Sequence, residues 1–349
     1  MKGTENTEVL MGIITRLTRL VIVLLVALIL VPILIINRTE IADRLSALFV
    51  EQEIKPYDES LHIKNQIKYW NAFGIERIQD SAFREKVEYG KELITHTSKY
   101  LGPNGSVAKI SNGLNCQNCH LEAGTKVYGN NYGSVASLYP KFRPRSGGEV
   151  DIPARINGCF ERSMNGTPLD RDSKEMEAMV TYMKYIGSNV PKGEKATGSG
   201  LKDLTFLDRA ASPEKGKIVY QAKCASCHME DGQGVLNMDS LEYMYPPLWG
   251  EHSFNDGAGL SRITKMAKYV KYNMPFGVSH DAPQLTDEEA WDVSAYINAQ
   301  PRPHLETPND WPDLTKKPID HPFGPYSDHF TEEQHKFGPF KEILNKRKQ

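Results

Sequence analysis

Two copies of one pentad, Cys-x-x-Cys-His, constrain this chain more than anything else in it: Cys116–His120 and Cys224–His228. In each, the two cysteines are spaced to form thioether bonds to the vinyl groups of a haem, and the adjoining histidine to bind its iron. A bare Cys-x-x-Cys reads equally as a zinc knuckle. A histidine directly after the second cysteine suits haem better than a tetrahedral zinc site. Two such pentads one domain apart predict a redox protein holding two covalently bound haem c groups. The expected fold class is mainly α: two class I cytochrome c-like haem domains in tandem, preceded by an N-terminal transmembrane helix.

Of the five cysteines, two pairs belong to the pentads and Cys159 is left over, so no pair remains for a disulfide. The formal net charge of −2 excludes a generally polybasic surface and, with it, nucleic acid as a partner. An unbroken apolar run, Leu20–Ile36, follows Arg16 and Arg19 and closes at Asn37-Arg38. It is slightly shorter than the ~20 residues of a comfortable span. A cleaved signal peptide is the rival reading, but no small-x-small cleavage site follows. The expectation is an uncleaved, single-pass anchor over 20–36 in the bacterial inner membrane. Residues 1–19 would then face the cytoplasm. Haem attachment belongs outside the bacterial cytoplasm, which puts the haem domains in the periplasm.

Beyond the anchor, 37–75 reads as a polar neck, 76–190 as the first haem domain, 191–204 as a linker and 205–300 as the second haem domain. Residues 301–349 read as an irregular extension packing over both. Phe83, Val87 and Ile94 recur at helical spacing before the first pentad. After it, Asp172-x-x-Glu175 reads as a capping box, opening a helix with Met176, Met179, Val180 and Met183 in one stripe. A stripe at that spacing is core rather than a set of iron ligands. In the second domain Ser212-Pro213 starts a helix, and Thr286-x-x-Glu289 caps the one through Trp291, Val293 and Tyr296.

Each iron needs a second axial ligand or an open position. For the second haem the candidate is Met274, in a proline-containing loop before the last helix of its domain, with Met244 as runner-up. A thioether there raises the haem potential. The first domain offers no methionine in that context. It has Cys159 instead, with Arg143, Arg145, Arg155 and Arg162 close by in sequence. A buried structural thiol is the ordinary fate of a lone cysteine. An exported, unpaired cysteine where a distal ligand should arise, among arginines that favour thiolate, points to a ligand and an anion pocket.

The stretch Arg143-x-Arg145-Ser146-Gly147 … Arg155-Ile156-Asn157-Gly158-Cys159-Phe160-x-Arg162-Ser163-Met164-Asn165-Gly166 resembles the thiosulfate dehydrogenase family of dihaem cytochromes c. The segments Tyr245–Gly250 and Pro318–Tyr326 are similar as well. The resemblance implies an oxidoreductase that interconverts two thiosulfates with tetrathionate and two electrons. It implies that Cys159 is the distal ligand of the active-site haem opposite His120 and forms a transient sulfur adduct. It implies that Arg145, Arg155 and Ser163 line the substrate pocket, and that a second haem between His228 and Met274 passes electrons to a cytochrome c or quinol-linked partner. Some members carry lysine where this chain has Asn273, and there it competes for the iron. Two other readings stand beside this one. One is a membrane-anchored electron-transfer cytochrome without substrate chemistry, which has no need of Cys159 and its arginines. The other is a subunit of a sulfur-oxidation system whose substrate rides on a carrier protein.

Overall fold

The structure is a computed structural model and describes residues 17–22, 25, 68–239 and 241–348. The chain divides into two units, 1–63 and 64–349. In the first, the described residues are helical and exposed. Among the described residues no helix is long and apolar enough to cross a membrane. The expected fold class is corrected accordingly, to two mainly helical haem domains without the transmembrane helix. Of the run 20–36 only 20–22 and 25 are described, and that short helical stretch carries the charge of Arg19. The rest of the run, and the neck up to 67, lie outside the described residues.

The second unit holds two hydrophobic cores. In the first, α1 (Ser81–Thr95) starts where the Asp80 carboxylate accepts from the Phe83 amide at 2.7 Å. It crosses α3 (Lys174–Ile186), with α2 (Ile152–Arg162) between them in sequence. Val87, Leu93 and Ile94 of α1 are buried, but Phe83 is 43% exposed, at the margin of the crossing, edge-on to Tyr185. The α3 cap falls on Ser173 rather than Asp172: the serine hydroxyl accepts from the Met176 amide. Met176, Met179 and Met183 are buried in the core, with Val180 packed against it. Trp70 also belongs to this core and donates to Asn189 Oδ1 at 2.8 Å, so the first domain reaches upstream of the expected start.

The second core repeats the crossing. Helix α4 (Pro213–Lys223) is capped by Ser212, and α6 (Asp287–Ala299) by the reciprocal Thr286/Glu289 box. The two helices pack together, and α5 (Ile263–Asn273) lies against α6. Each crossing closes on a glycine. A Cβ on Gly90 of α1 would fall 2.1 Å from the Ala178 carbonyl oxygen, with the Tyr182 Cβ beside it. One on Gly216 of α4 would fall 1.9 Å from the Asp292 carbonyl oxygen, with the Tyr296 Cβ beside it. In both domains, then, the helices touch through a glycine and a residue four before a tyrosine. The only strands among the described residues form two short antiparallel pairs. They are β1 (Lys141–Arg143) with β2 (Gly148–Val150), and β3 (Val235–Leu236) with β4 (Tyr243–Tyr245).

The two domains meet at the first pentad. The Tyr269 hydroxyl of α5 donates to the Asn118 carbonyl at 2.6 Å, and Glu242 accepts from His96 and from Asn115 Nδ2. The C-terminal extension differs from the irregular segment expected. It ends in α7 (Glu332–Phe337) and α8 (Phe340–Arg347), and Phe340 and Ile343 are buried in the second core. A helix of eight residues with two buried apolar positions is too short to register as a period.

Candidate active site

The first pentad forms a turn rather than a long helix. Asn115 opens it, accepting from Asn118 while its own amide donates to Asn118 Oδ1. The histidine emerges with its Nδ1 2.6 Å from the Asn130 carbonyl and its ring stacked on Tyr132 at 4.5 Å. A carbonyl at Nδ1 keeps the proton there and leaves Nε2 as the lone-pair donor. His228 is held in the same way, by the Pro246 carbonyl at 2.8 Å, and burial pulls its pKa below the usual imidazole value.

Cys116, Cys119 and His120 line a cavity of about 440 Å³ that Cys159 also lines. Cys159 comes from α2, which starts at the Asp151 cap with a proline in its first turn. One helical turn earlier on the same face stands Arg155, whose Nη1 donates to Cys159 Sγ at 3.0 Å. Burial raises the Cys159 thiol, but the Arg155 charge, the hydrogen bond and charge of His120, and Arg145 outweigh it and bring the pKa down to about 6. Burial pushes Cys116 and Cys119 up to about 12. Of the three cysteines lining the cavity, Cys159 alone is favoured as thiolate.

The expected pocket residues come together here. Arg143, Arg145, Arg155 and Ser163 all line the cavity. Arg145 projects from the β1–β2 hairpin, with its Nη2 3.4 Å from where a Gly158 Cβ would lie. Burial and the neighbouring Arg162 and Arg155 pull its pKa down to about 10, which leaves it charged at neutral pH. Ser163 caps the end of α2. Arg162 also faces the cavity but is engaged by Asp310 at 2.9 Å.

Sequence reasoning missed the far wall, built by Asp256, Arg262 and Lys265 of the second domain and Asp310, Trp311 and His321 of the extension. The Trp311 amide donates to the Arg145 carbonyl at 2.7 Å, and Asp320 accepts from Arg262 Nε at 2.8 Å. These residues are distant in sequence from Cys159. The only signal was that Pro318–Tyr326 shares the family resemblance.

In the second domain Met274 directly follows α5 and packs, half-buried, against the core that Cys224 also touches. Met244 sits on β4 and is 56% exposed. The donor sets suit haem in both domains: two free cysteines, a histidine with Nε2 free, and a soft sulfur from another element. Among the described residues no other cluster of His, Cys, Asp and Glu is built to hold a metal ion.

The SoxA/TsdA cytochrome c domain model matches residues 106–191, and the Cytochrome c model matches 213–301. Thiosulfate dehydrogenase of Psychrobacter arcticus is 39% identical over 238 residues, covering 67% of this chain and 69% of that protein. The Allochromatium vinosum enzyme of the same name is 36% identical, covering 66% of this chain and 83% of that protein. The solved structure of thiosulfate dehydrogenase (TsdBA) from Marichromatium purpuratum in its as-isolated form superposes with a TM-score of 0.62 at 29% identity. That match covers 67% of this chain and 50% of the solved chain, so this chain spans half its length. The two cytochrome c domains carry two covalent haem c groups. By its match to the curated enzymes and by both domain models, the chain belongs to the thiosulfate dehydrogenase family of dihaem c-type cytochromes.

Proposed function

We propose that this chain oxidises thiosulfate, joining two thiosulfates into tetrathionate with release of two electrons, and that the same site runs the reverse reaction. The observation that carries the reading is Cys159 sharing a cavity with His120 and Arg145, its sulfur 3.0 Å from the Arg155 guanidinium that favours its thiolate form. Two dianions repel each other, and fixed guanidinium groups offset that repulsion where water cannot screen it. A pure electron carrier has no use for such a cavity.

In this reading Cys116 and Cys119 attach one haem and Cys224 and Cys227 the other. His120 and Cys159 would hold the first iron, and His228 and Met274 the second. Bound there, the haems supply one-electron acceptors, the thiolate-ligated one at low potential and the thioether-ligated one higher. Cys159 carries the substrate sulfur. Its thiolate and the outer sulfur of one thiosulfate form a disulfide, Cys–S–S–SO₃⁻, as two electrons leave. A second thiosulfate attacks that outer sulfur, and the S–S bond to Cys159 breaks. Tetrathionate departs and the thiolate is restored, with charge and electrons balanced. Arg155 holds the thiolate in its leaving form, Arg145 binds a sulfonate, and Ser163 offers a hydroxyl to the same anion.

We place this chemistry in the periplasm, because the pentads require covalent haem attachment outside the cytoplasm, and assign the electrons to a cytochrome c or quinol-linked partner. Steady-state assays of the purified holoprotein test the reading, with thiosulfate plus an electron acceptor and with tetrathionate plus a donor. Turnover of free thiosulfate also excludes a carrier-borne substrate. No turnover in either direction returns the chain to electron transfer alone.

A further inference from the structure

The coupling reaction needs two anion positions, and the residues around Cys159 account for one. Tetrathionate carries its charge on two sulfonate ends separated by a sulfur chain, so each end needs its own cation. Arg143, Arg145 and Arg155 all belong to the first domain. The remaining cations of the lining are Arg162, also on α2 of the first domain, and Arg262 and Lys265 of the second. Arg162 is neutralised by Asp310 at 2.9 Å, and Arg262 donates to the buried Asp320 carboxylate. Lys265, in the first turn of α5, is different. Among the described residues its Nζ has no hydrogen-bond or ion-pair partner, although the side chain is half-buried in the cavity wall. A lysine in such a place is held at a cost in solvation that an anion repays.

The wall's carboxylates do not serve it. Asp310 is taken by Arg162, and Asp256 accepts from His304 and from the Leu305 amide at 2.9 Å. Asp203, on the outer side of α5, pairs with Lys268 at 2.6 Å. Lys265 is thus an uncommitted cation in the lining of the cavity that Cys159 and the first-domain arginines also line.

We propose that Lys265 is the second anion subsite, holding the sulfonate of the incoming thiosulfate, which becomes the outer end of tetrathionate. The electron-transfer domain then contributes to substrate binding as well as to electron export. The inference rests on the thiosulfate reading above. A haem carboxylate is the other source of an anionic oxygen in this cavity, and the experiment separates the two.

Tetrathionate is titrated into the oxidised holoprotein, which cannot turn it over, by isothermal calorimetry for wild type, Lys265→Gln and Lys265→Arg. The haem potentials of each are measured alongside. Lys265→Gln is expected to weaken tetrathionate binding roughly 10-fold, the loss of one charge-assisted contact, with Lys265→Arg restoring most of it. Both haem potentials should stay at their wild-type values, and the thiosulfate KM should rise by more than kcat falls. Wild-type affinity in Lys265→Gln overturns the subsite. A lowered first-haem potential with unchanged affinity overturns it too, and assigns the lysine to a haem carboxylate. A wild-type protein that binds no tetrathionate overturns both the subsite and the thiosulfate reading.

Discussion

The two haem domains share a scaffold and part company at the side facing the pentad histidine. Each crosses its first and last helices through a glycine, Gly90 on Ala178 and Gly216 on Asp292, with a tyrosine one turn later. Each ties its pentad histidine to a backbone carbonyl through Nδ1. In the cavity that His120 lines, however, the first domain presents a helix bearing Cys159 and Arg155 together with the arginines of the β1–β2 hairpin. In the second, a helix ends and hands over to Met274 against an apolar core. In the function proposed above, the shared crossing places each haem, and the element that supplies the second sulfur decides whether that haem meets substrate or only passes electrons.

The sharpest way to break this contrast is at Cys159. Cys159→Gly removes the thiolate and leaves both pentads, both crossings and the α2 cap untouched. Turnover should fall about 10³-fold or more, as when one member of a concerted catalytic unit is lost. A pyridine haemochrome assay should still return two haems per chain. Electron paramagnetic resonance should lose a low-spin thiolate signature. A variant that keeps wild-type turnover would make the two domains functionally alike and remove the enzyme reading.

The arginines give the next largest effect. Arg155→Gln and Arg145→Gln each delete a charge-assisted contact of about 1.5–3 kcal/mol, so the thiosulfate KM should rise roughly 10- to 100-fold. Arg155→Gln should also lower kcat, because its guanidinium donates to Cys159 Sγ whereas Arg145 acts on the sulfur through its charge alone. Equal effects on kcat from both variants would show that the contact with sulfur plays no separate part.

Met274→Gly tests the other domain. The second haem's potential should drop and electron export slow as a weaker ligand replaces the thioether, while tetrathionate affinity in the oxidised protein stays at wild type. Unchanged potentials in a redox titration would remove Met274 from the iron.

What the sequence disclosed follows the range of the interactions involved. Pentads and caps are local, so the Ser212 and Thr286 caps could be read directly from three or four consecutive positions. The α3 cap slipped by one residue because Asp172 and Ser173 are both good caps and only packing chooses between them. Cys159 stood out because α2 concentrates its own arginines, Arg155 and Arg162, within two turns. The far wall was invisible for the converse reason. Lys265 and Trp311 reach the cavity only through the docking of α5 and the extension, which no spacing encodes. Helix α8 escaped notice because eight residues with two buried positions carry too little period to stand out.

The smallest predicted effect bears on the shared scaffold itself. Alanine at Gly90 or Gly216 adds one methyl group where each crossing is already closed, 2.1 Å from the Ala178 oxygen and 1.9 Å from the Asp292 oxygen. Neither obstacle is a flexible side-chain tip. Both are backbone carbonyls of a buried helix, so the helices themselves must move apart. Forcing extra volume into a closed contact of this kind costs about 1–3 kcal/mol. The second crossing has less room to give. The Asp292 carboxylate is held by Arg209 through two bonds of 2.7 Å and by the Ser212 amide at 2.8 Å, which fastens α6 to the start of α4. Gly216→Ala should therefore lower the thermal midpoint of its domain by more than Gly90→Ala lowers that of the first. Calorimetric scans of the holoprotein measure both. Catalysis should respond in the opposite sense, because α3 lines the cavity directly through Met183, whereas neither α4 nor α6 contributes a residue to its lining. If both alanine variants melt with the wild type, close approach is not what the two domains have in common.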